Sequence, residues 1–374
     1  MAIYFDNAAT TVLSQRARNV YINTAANFAG NPSSVHREGH KAKEELDRNR
    51  DKIAALLGVK STSLIFTSGA TESITAFFSS LLWQEPGEIL VSRIEHEAVS
   101  SQMAILKRFG WEVKTLKAKG GFVSVDELKE KLSPKTKVVA VMAVNNVTGA
   151  IQDIKGLVTA VREFEKENRK KILFFSDSVQ ALGKTGLDLS DSDVDGASFS
   201  SHKINGPRGV GMLYLKNPNA FRSYAPAGGQ ESGRRGGTEN LPGIAAFAEA
   251  LSEWYENRVE KEDAIRKINN NLREELSKLK LTILSPENST PYILSLSATL
   301  PSEVFARVLM DKGFCVSSGS ACSNNAKGKA ESIYEAMGVR HDLAAKAIRI
   351  SFDNNSTEEE AELLLKAFQE IING

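Results

Sequence analysis

The sequence predicts an α/β protein with a large, mainly parallel (mixed) sheet and a smaller α+β unit. Between residues 63 and 216, short apolar runs alternate with helical stretches. After Asn240 this pattern changes to a long helical stretch and then to a few separated strands and helices. At 374 residues, a large core with a smaller second domain is expected. We predict a large domain over residues 15–255 and a small domain built from residues 1–14 and 256–374.

The apolar runs of the first part are predicted to be strands, most of them buried. These predicted strands are Leu64–Thr67, Glu88–Val91, Lys137–Val144, Ile172–Ser176, Gly196–Phe199 and Val210–Leu215. Between them, the apolar residues from Asp153 to Lys166 lie on one face of a predicted helix. Ser124 and Glu127 have the spacing of a capping box at a helix start. Strands that alternate with helices favour a parallel sheet covered on both faces.

The second part is predicted to begin with a long connecting helix, with a break, within residues 241–280. Its apolar face carries Ile244, Ala248, Leu251, Tyr255 and Val259. The smaller unit then contains strands Tyr292–Ser297, Cys315–Ser317 and Ile348–Phe352, a helix from about residue 302 and a final helix after a Thr357–Glu360 capping box. The first residues, about 1–12, are expected to pack near the functional site or the small domain.

Composition argues against several classes of function. The net charge is +1, so the chain as a whole shows no bias toward nucleic acid or acidic membranes. Its longest apolar run, Val138–Val144, is too short to span a membrane, and we find no N-terminal export signal. Two cysteines, Cys315 and Cys322, do not make a disulfide framework in so long a chain. We therefore predict a cytoplasmic protein with a thiol available for chemistry.

The segment Thr67–Glu72 follows a strand and opens a helix, which is a typical setting for anion binding. Small residues there let backbone N–H groups and the helix dipole approach a phosphate. Ala70 and Thr71 are the candidate ligands. An ordinary strand-to-helix turn explains the same pattern, and such turns are common in α/β folds.

Lys203 ends the segment Ser198–Lys203, just before the glycine-rich segment Gly206–Gly209. A desolvated lysine at a strand end can form a Schiff base with a carbonyl compound. Ser200 and His202 flank it as candidate phosphate donors. An exposed loop lysine with ordinary turn hydrogen bonds is the alternative interpretation.

Three further residues carry charge or a ring where a ligand could use it. Asp177 ends an apolar strand, where its carboxylate needs a partner such as a protonated pyridine nitrogen, or else caps a helix. His96 follows another strand and could stack on a flat cofactor, although a lone histidine is more often structural. Arg349, within an apolar strand, is typical of a bidentate carboxylate ligand, and an internal salt bridge is the alternative.

Cys322 lies among small polar residues, which favours a mobile loop over about residues 317–330. An accessible thiol on such a loop suits a nucleophile that must travel. Cys315 lies between Phe314 and Val316 and is predicted to be a buried packing residue. We assign no resident metal site.

Together these segments resemble the cysteine desulfurases of the NifS/IscS type (group I), in the class-V aminotransferase group of fold-type I pyridoxal-phosphate (PLP) enzymes. The resemblance runs nearly end to end, from Tyr4–Thr11 through Asn31–His36 to the final strand. It implies PLP as cofactor, L-cysteine as substrate, L-alanine as product and a persulfide on Cys322. It also implies a homodimer and a sulfur-acceptor protein of the iron–sulfur scaffold or tRNA-thiolation type, and that Cys322 could serve as a transient ligand of an iron–sulfur cluster.

The resemblance also implies a role for each candidate residue. Lys203 resembles the lysine that holds the cofactor and moves the Cα proton, Asp177 the partner of the ring nitrogen, and His96 the stacking ring. Thr71, Ser200 and His202 resemble phosphate ligands, and Thr238 resembles a phosphate ligand of the neighbouring subunit. Gln180 and Asn146 resemble ligands near the phenolic oxygen. Arg349 and Asn146 resemble ligands of the substrate carboxylate.

The chain departs from the family pattern at Thr75, Val147, Ser232 and Asp353–Asn354, none of which is a core catalytic group. These departures bear on the entrance, the partner surface and the turnover rate. A selenocysteine lyase or another class-V PLP enzyme is the first alternative, but an aminotransferase needs no mobile thiol such as Cys322. A non-catalytic subunit that binds sulfur-transfer partners is the second, and the retention of Lys203, Asp177, His96 and Cys322 argues against it.

Overall fold

The computed structural model describes residues 2–319 and 332–373 and has the predicted α/β architecture. Its strands are β1 (Ile3–Tyr4), β2 (Leu64–Thr67), β3 (Glu88–Ser92), β4 (Glu112–Leu116), β5 (Thr136–Ala140), β6 (Leu173–Asp177), β7 (Gly196–Ser200), β8 (Gly211–Leu215), β9 (Thr282–Ile283), β10 (Ile293–Ser297), β11 (Phe314–Cys315), β12 (Ser317–Ser318) and β13 (Ala347–Ser351). Its α-helices are α1 (Gln15–Asn27), α2 (Arg37–Leu56), α3 (Ala70–Ser80), α4 (Glu97–Arg108), α5 (Val125–Lys131), α6 (Ile154–Asn168), α7 (Leu189–Ser192), α8 (Leu241–Tyr255), α9 (Arg258–Lys278), α10 (Ser302–Asp311), α11 (Ile333–Ala336), α12 (His341–Ala344) and α13 (Glu358–Asn373).

Within the described residues, seven strands form one mixed sheet in the order β2-β8-β7-β6-β5-β3-β4. The neighbours from β7 to β4 are parallel, and β8 is antiparallel to both β7 and β2. This arrangement brings the carboxyl ends of β2, β3, β6 and β7 to one edge of the sheet. Polar residues that follow these strands in the sequence therefore meet in space.

The sheet is buried on both faces because its central strands are apolar at successive positions. Phe174 and Met212 belong to the hydrophobic cluster on one face, whereas Phe175 and Leu213 belong to the cluster on the other. All residues of β7 and β8 are buried. The two clusters thus support, from both faces, the sheet edge at which the polar residues converge.

The predicted strand Cys315–Ser317 is wrong in detail: its residues divide between β11 and β12, which belong to different sheets. Two further strands also differ from the prediction. The predicted strand Lys137–Val144 ends at Ala140, because the chain turns away from the sheet there. Strand β4 escaped prediction because it lies at the sheet edge, where Leu116 is its one buried residue. Charged residues on an edge strand remove the alternating apolar signal and also protect the edge from further pairing.

The helix predictions hold, with local corrections. The predicted break in the connecting helix separates α8 from α9 at Asn257, whose φ is 51°. Val259 lies beyond this break and is exposed, so it does not continue the apolar face. Ser124 caps α5, but the Glu127 carboxylate accepts from the backbone N–H of Lys117 instead of closing a capping box. Thr357 and Glu360 do form the reciprocal pair at the start of α13.

The C-terminal part forms a second sheet, which has the order β12-β13-β10-β9 in the described residues. The N-terminal strand β1 pairs in parallel with β11, and Asp6 forms a bridge to Ser351 beside it. Cys315 lies on β11 as predicted, but it is half-buried rather than buried. Across residues 2–319 and 332–373, none of the helices has both the length and the apolar character needed to cross a membrane.

Candidate active site

A cavity of about 460 Å³ opens where the strand ends of the large sheet meet the start of α3. Its volume is in the range of ordinary small-molecule sites. The cavity is lined by most of the residues predicted from the sequence, namely Ala70, Thr71, His96, Asn146, Asp177, Gln180, Ser200, His202 and Lys203. The prediction missed Thr10, Met142, Val144 and Val179, which also line it.

The start of α3 forms one end of the cavity. Gly69 precedes the helix without a side-chain cap, and Ser68, Gly69, Ala70 and Thr71 all line the cavity. A side chain at Gly211 would lie 2.4 Å from the Gly69 Cα, so glycine at position 211 lets β8 pass directly behind this turn. Uncapped N–H groups and the helix dipole make this end suitable for a phosphate.

Lys203 reaches the cavity from a short turn that follows β7. Its Nζ donates to the carbonyl oxygens of Ala8 and Ala9, at 2.8 and 2.6 Å. Thr11 holds this N-terminal segment in place, because its backbone N–H and its hydroxyl both donate to the His202 carbonyl. The expected packing of the first residues near the functional site is therefore confirmed, and they hold the lysine through backbone carbonyls.

Asp177 lies at the end of β6 and is buried. Its Oδ1 accepts from the Val179 N–H at 3.1 Å and from the Ser198 hydroxyl at 3.4 Å. Burial raises the pKa of this carboxyl, while the nearby His96, these hydrogen bonds and Lys203 oppose the shift. Turns, not a helix, follow Asp177, so its alternative interpretation as a helix N-cap is wrong.

The two histidines take different places in the cavity. His96 caps α4, and its Nδ1 accepts from the Ala98 N–H at 3.1 Å, which leaves Nε2 to carry the proton in the neutral ring. His202 shares a hydrogen bond with the Thr10 hydroxyl at 3.1 Å. Burial, together with the charges of Lys203, Arg208 and Lys184, lowers the pKa of His202 to about 4. His202 is therefore neutral near pH 7.

Gln180 and Asn146 line the cavity near Asp177. The Gln180 Nε2 donates to the Ala8 carbonyl at 3.0 Å, and its Oε1 accepts from Lys184 at 2.8 Å. The backbone oxygen of Asn146 accepts from Arg349, which is buried on β13. Arg349 lies just outside the cavity lining and also pairs with Asp6 at 2.8 Å. The internal salt bridge considered for this arginine is thus present.

Two predicted site residues lie elsewhere. Thr238 is exposed on the loop before α8 and does not line the cavity of its own chain. Cys322 and most of its predicted loop lie outside the described residues. The cavity therefore contains the candidate cofactor ligands other than Thr238, and the role of Cys322 remains a prediction from the sequence.

The donor set suits a flat, phosphorylated cofactor that has a basic ring nitrogen and a carbonyl group. The α3 start, with the Ser200 hydroxyl nearby, offers hydrogen bonds for a phosphate. A buried carboxylate, Asp177, suits a ring nitrogen that carries a proton, and the Lys203 amine suits a carbonyl group. These residues therefore fit PLP.

Comparisons with known proteins identify the family. The family model described as aminotransferase class-V matches residues 3–364. A NifS/IcsS protein homolog of Lactobacillus delbrueckii subsp. bulgaricus is 37% identical, over 99% of this chain and 97% of its own length. A protein of Methanosarcina thermophila named cysteine desulfurase IscS is 32% identical, over 99% of this chain and 92% of its own length.

Among solved structures, a NifS-like protein superimposes with a TM-score of 0.92 at 34% identity and covers all of both chains. The superposition thus extends over the whole fold. The fold-type I assignment is therefore confirmed. This chain belongs to the class-V aminotransferase family of PLP-dependent enzymes and, within it, to the cysteine desulfurases of the NifS/IscS type.

Proposed function

We propose that this protein is a PLP-dependent cysteine desulfurase that converts L-cysteine to L-alanine and retains the sulfur as a persulfide on Cys322. The convergence of the Lys203 amine, the Asp177 carboxylate and the α3 start on one cavity supports this proposal most directly. When bound, PLP supplies an electron sink that stabilises negative charge at the Cα of an amino acid. The protein must hold that cofactor, orient cysteine and move protons.

The cavity residues divide these tasks. Lys203 would hold the cofactor and, once freed by the substrate, take the proton from the Cα of cysteine. The buried Asp177 carboxylate would keep a proton on the ring nitrogen, and His96 would lie against the ring. Hydrogen bonds from Thr71, Ser200 and His202 would bind the phosphate, together with the N–H groups near Ala70.

Cysteine itself would be held by its carboxylate. Arg349 lies next to the cavity, and one of its nitrogens already donates to the backbone of Asn146, a lining residue. Its planar guanidinium suits bidentate recognition of a carboxylate. The relative from Methanosarcina thermophila that is named a cysteine desulfurase supports cysteine as the amino acid.

Sulfur transfer would then use the thiolate of Cys322. The thiolate attacks the sulfur of cysteine, so the Cβ–S bond breaks and an S–S bond forms. Cβ gains a proton, and alanine leaves. The reduction at Cβ balances the oxidation of sulfur, so no external oxidant is required. The persulfide would pass to a sulfur-acceptor protein of the iron–sulfur scaffold or tRNA-thiolation type.

We further propose a homodimer in the cytoplasm, with Thr238 completing the phosphate site of the neighbouring subunit. The exposure of Thr238 outside its own cavity supports this arrangement. The division into domains 15–255 and 1–14 plus 256–374 is part of the same proposal. Sedimentation should give a dimer, and a fully active monomer at assay concentration would contradict the shared site.

The central experiment is to incubate the purified protein with cysteine and to measure alanine and persulfide on Cys322. The protein should be yellow, and borohydride should fix the cofactor to Lys203, as peptide mass spectrometry would show. The Lys203→Ala variant should lose both the fixed cofactor and turnover. Full activity in that variant would rule out the assignment. Rates of alanine formation measured in parallel with cysteine and with selenocysteine would distinguish a cysteine desulfurase from a selenocysteine lyase.

A further inference from the structure

Lys184 is a buried lysine directly behind the cavity. It is 1% exposed, and it takes part in none of the ion pairs found among residues 2–319 and 332–373. Its Nζ donates to the Gln180 Oε1 at 2.8 Å and lies 6.0 Å from the centre of the Trp254 ring. A buried lysine whose neighbours are an amide and an aromatic ring, with no carboxylate to pair with in the described part of the chain, is unusual, and its position needs a physical explanation.

Burial of this charge is costly. Desolvation lowers the pKa of Lys184 to about 7, and the charges of Lys203 and Arg349 add to the shift, while Asp353 opposes it. A methionine of similar length would fill the same space without this cost. The presence of a lysine therefore indicates a specific contact, and the contact available is the one to Gln180.

That contact sets the direction of the Gln180 amide. In its protonated form Lys184 has only donors, so the amide oxygen of Gln180 faces it. The amide nitrogen then faces the other way and donates to the Ala8 carbonyl at 3.0 Å. The same carbonyl accepts from Lys203 at 2.8 Å. One continuous set of hydrogen bonds thus joins Lys184, through Gln180 and Ala8, to the lysine of the cavity.

We propose that Lys184 is a positioning residue that holds the Gln180 amide with its nitrogen toward the cavity. The inference rests on the proposed function, in which Gln180 contacts PLP near its phenolic oxygen. A reversed amide would present an acceptor to that oxygen and leave the Ala8 carbonyl with one donor fewer. Lys184 itself does not line the cavity, so it would act on the cofactor only through Gln180.

A double-mutant cycle tests the inference. Apoprotein of the wild type and of the Lys184→Met, Gln180→Leu and doubly substituted variants is titrated with PLP, and the absorption maximum of the bound cofactor is recorded. We expect Lys184→Met to weaken PLP binding by about 5- to 50-fold and to shift the absorption band, since coupled neighbours interact with this order of energy. The double variant should bind no more weakly than Gln180→Leu alone.

Two controls complete the design. Lys129→Met removes an exposed lysine on α5 and should leave PLP affinity and absorption unchanged. Gln180→Glu keeps the acceptor for Lys184 but loses the amide donors, so it should bind PLP as weakly as Lys184→Met, and it remains informative if Lys184→Met does not fold.

Additive effects of the two substitutions, or wild-type affinity and absorption in either Lys184→Met or Gln180→Glu, would overturn the inference. If the wild type itself bound no PLP, the proposed function would fail together with it. Normal binding by the wild type alongside unchanged variants would refute the positioning role alone.

Discussion

Arg349 and Asp6 form a salt bridge of 2.8 Å between the last strand of the second sheet and the N-terminal segment. The Arg349 Nη1 donates to the Asn146 backbone oxygen, and its Nε is buried without a hydrogen-bond partner among the described residues. The guanidinium is thus held on two sides next to the cavity, where the proposed function has it bind the carboxylate of the substrate.

Substitution of Arg349 by lysine should therefore impair cysteine binding more than the chemical step. An ammonium is a single point of charge and cannot serve Asn146, Asp6 and a substrate carboxylate in one plane. We expect KM for cysteine to rise by about 10- to 100-fold, which corresponds to one charge-assisted hydrogen bond. Steady-state alanine formation gives KM and kcat, and the exposed Arg340→Lys is the matched control. An unchanged KM would remove Arg349 from the substrate site.

Asp177→Asn should separate cofactor binding from cofactor activation. The amide keeps the size of the side chain and its contact with the Val179 N–H, but it cannot balance a protonated ring nitrogen. Turnover should fall by about 100- to 1,000-fold, the usual loss when one transition-state contact is removed. Alanine formation at saturating cysteine measures it, with the exposed Asp191→Asn as control. Near-normal rates would leave Asp177 only a structural role.

Cys322→Ser should keep the cofactor and lose sulfur transfer, since none of the proposed cofactor ligands lies within residues 317–330. The variant should remain yellow and release no alanine, because a serine hydroxyl cannot hold a persulfide. Cys315→Ala, half-buried on β11, should behave nearly as the wild type and serves as the matched control. The rate of alanine formation and the mass of the loop peptide provide the measurement. The opposite pattern would mean that Cys315 is the nucleophile.

Lys184 should make the stability of the apoprotein depend on pH. Its folded-state pKa of about 7 lies below the ordinary value near 10.4, so the unfolded chain binds the extra proton between these pH values. The free-energy cost of burying the protonated Lys184 amine is therefore largest below pH 7 and disappears as the pH rises from about 7 to about 10.4. Desolvation by burial is the main cause of this low pKa; among the charged groups nearby, Lys203 and Arg349 lower the pKa further and Asp353 raises it.

The Lys184→Met variant lacks this cost and should be more stable than the wild type at pH 6. The difference in unfolding free energy should shrink by about 2–4 kcal/mol by pH 10, as one pKa unit corresponds to about 1.4 kcal/mol. Urea unfolding at pH 6, 8 and 10 measures it, with Lys129→Met for comparison. A difference that stays constant or grows with pH would show that Lys184 is not a buried, destabilised cation. Greater stability with weaker PLP binding would identify a positional rather than a structural role.

Local sequence patterns were sufficient for much of the fold. The central strands follow from apolar runs, because burial on both faces demands them, and α6 and α13 start where their capping residues Asp153 and Thr357 stand. The same patterns placed Asp177, Ser200 and His96 at strand ends. Parallel strands bring their carboxyl ends to one edge of the sheet, so these residues were expected to lie close together there.

Tertiary structure decided what depends on residues far apart in the chain. The hold of Ala8 and Ala9 on Lys203, the salt bridge of Arg349 with Asp6 and the burial of Lys184 all join segments that no local pattern relates. Lys184 illustrates the reason: it lies in a turn after β6, yet it is buried, and the Trp254 ring beside it comes from a distant part of the chain. Sequence alone identified most of the chemical groups that reach the cavity, whereas long-range packing determined how each is charged and oriented, because desolvation and hydrogen-bond partners exist only in the folded chain.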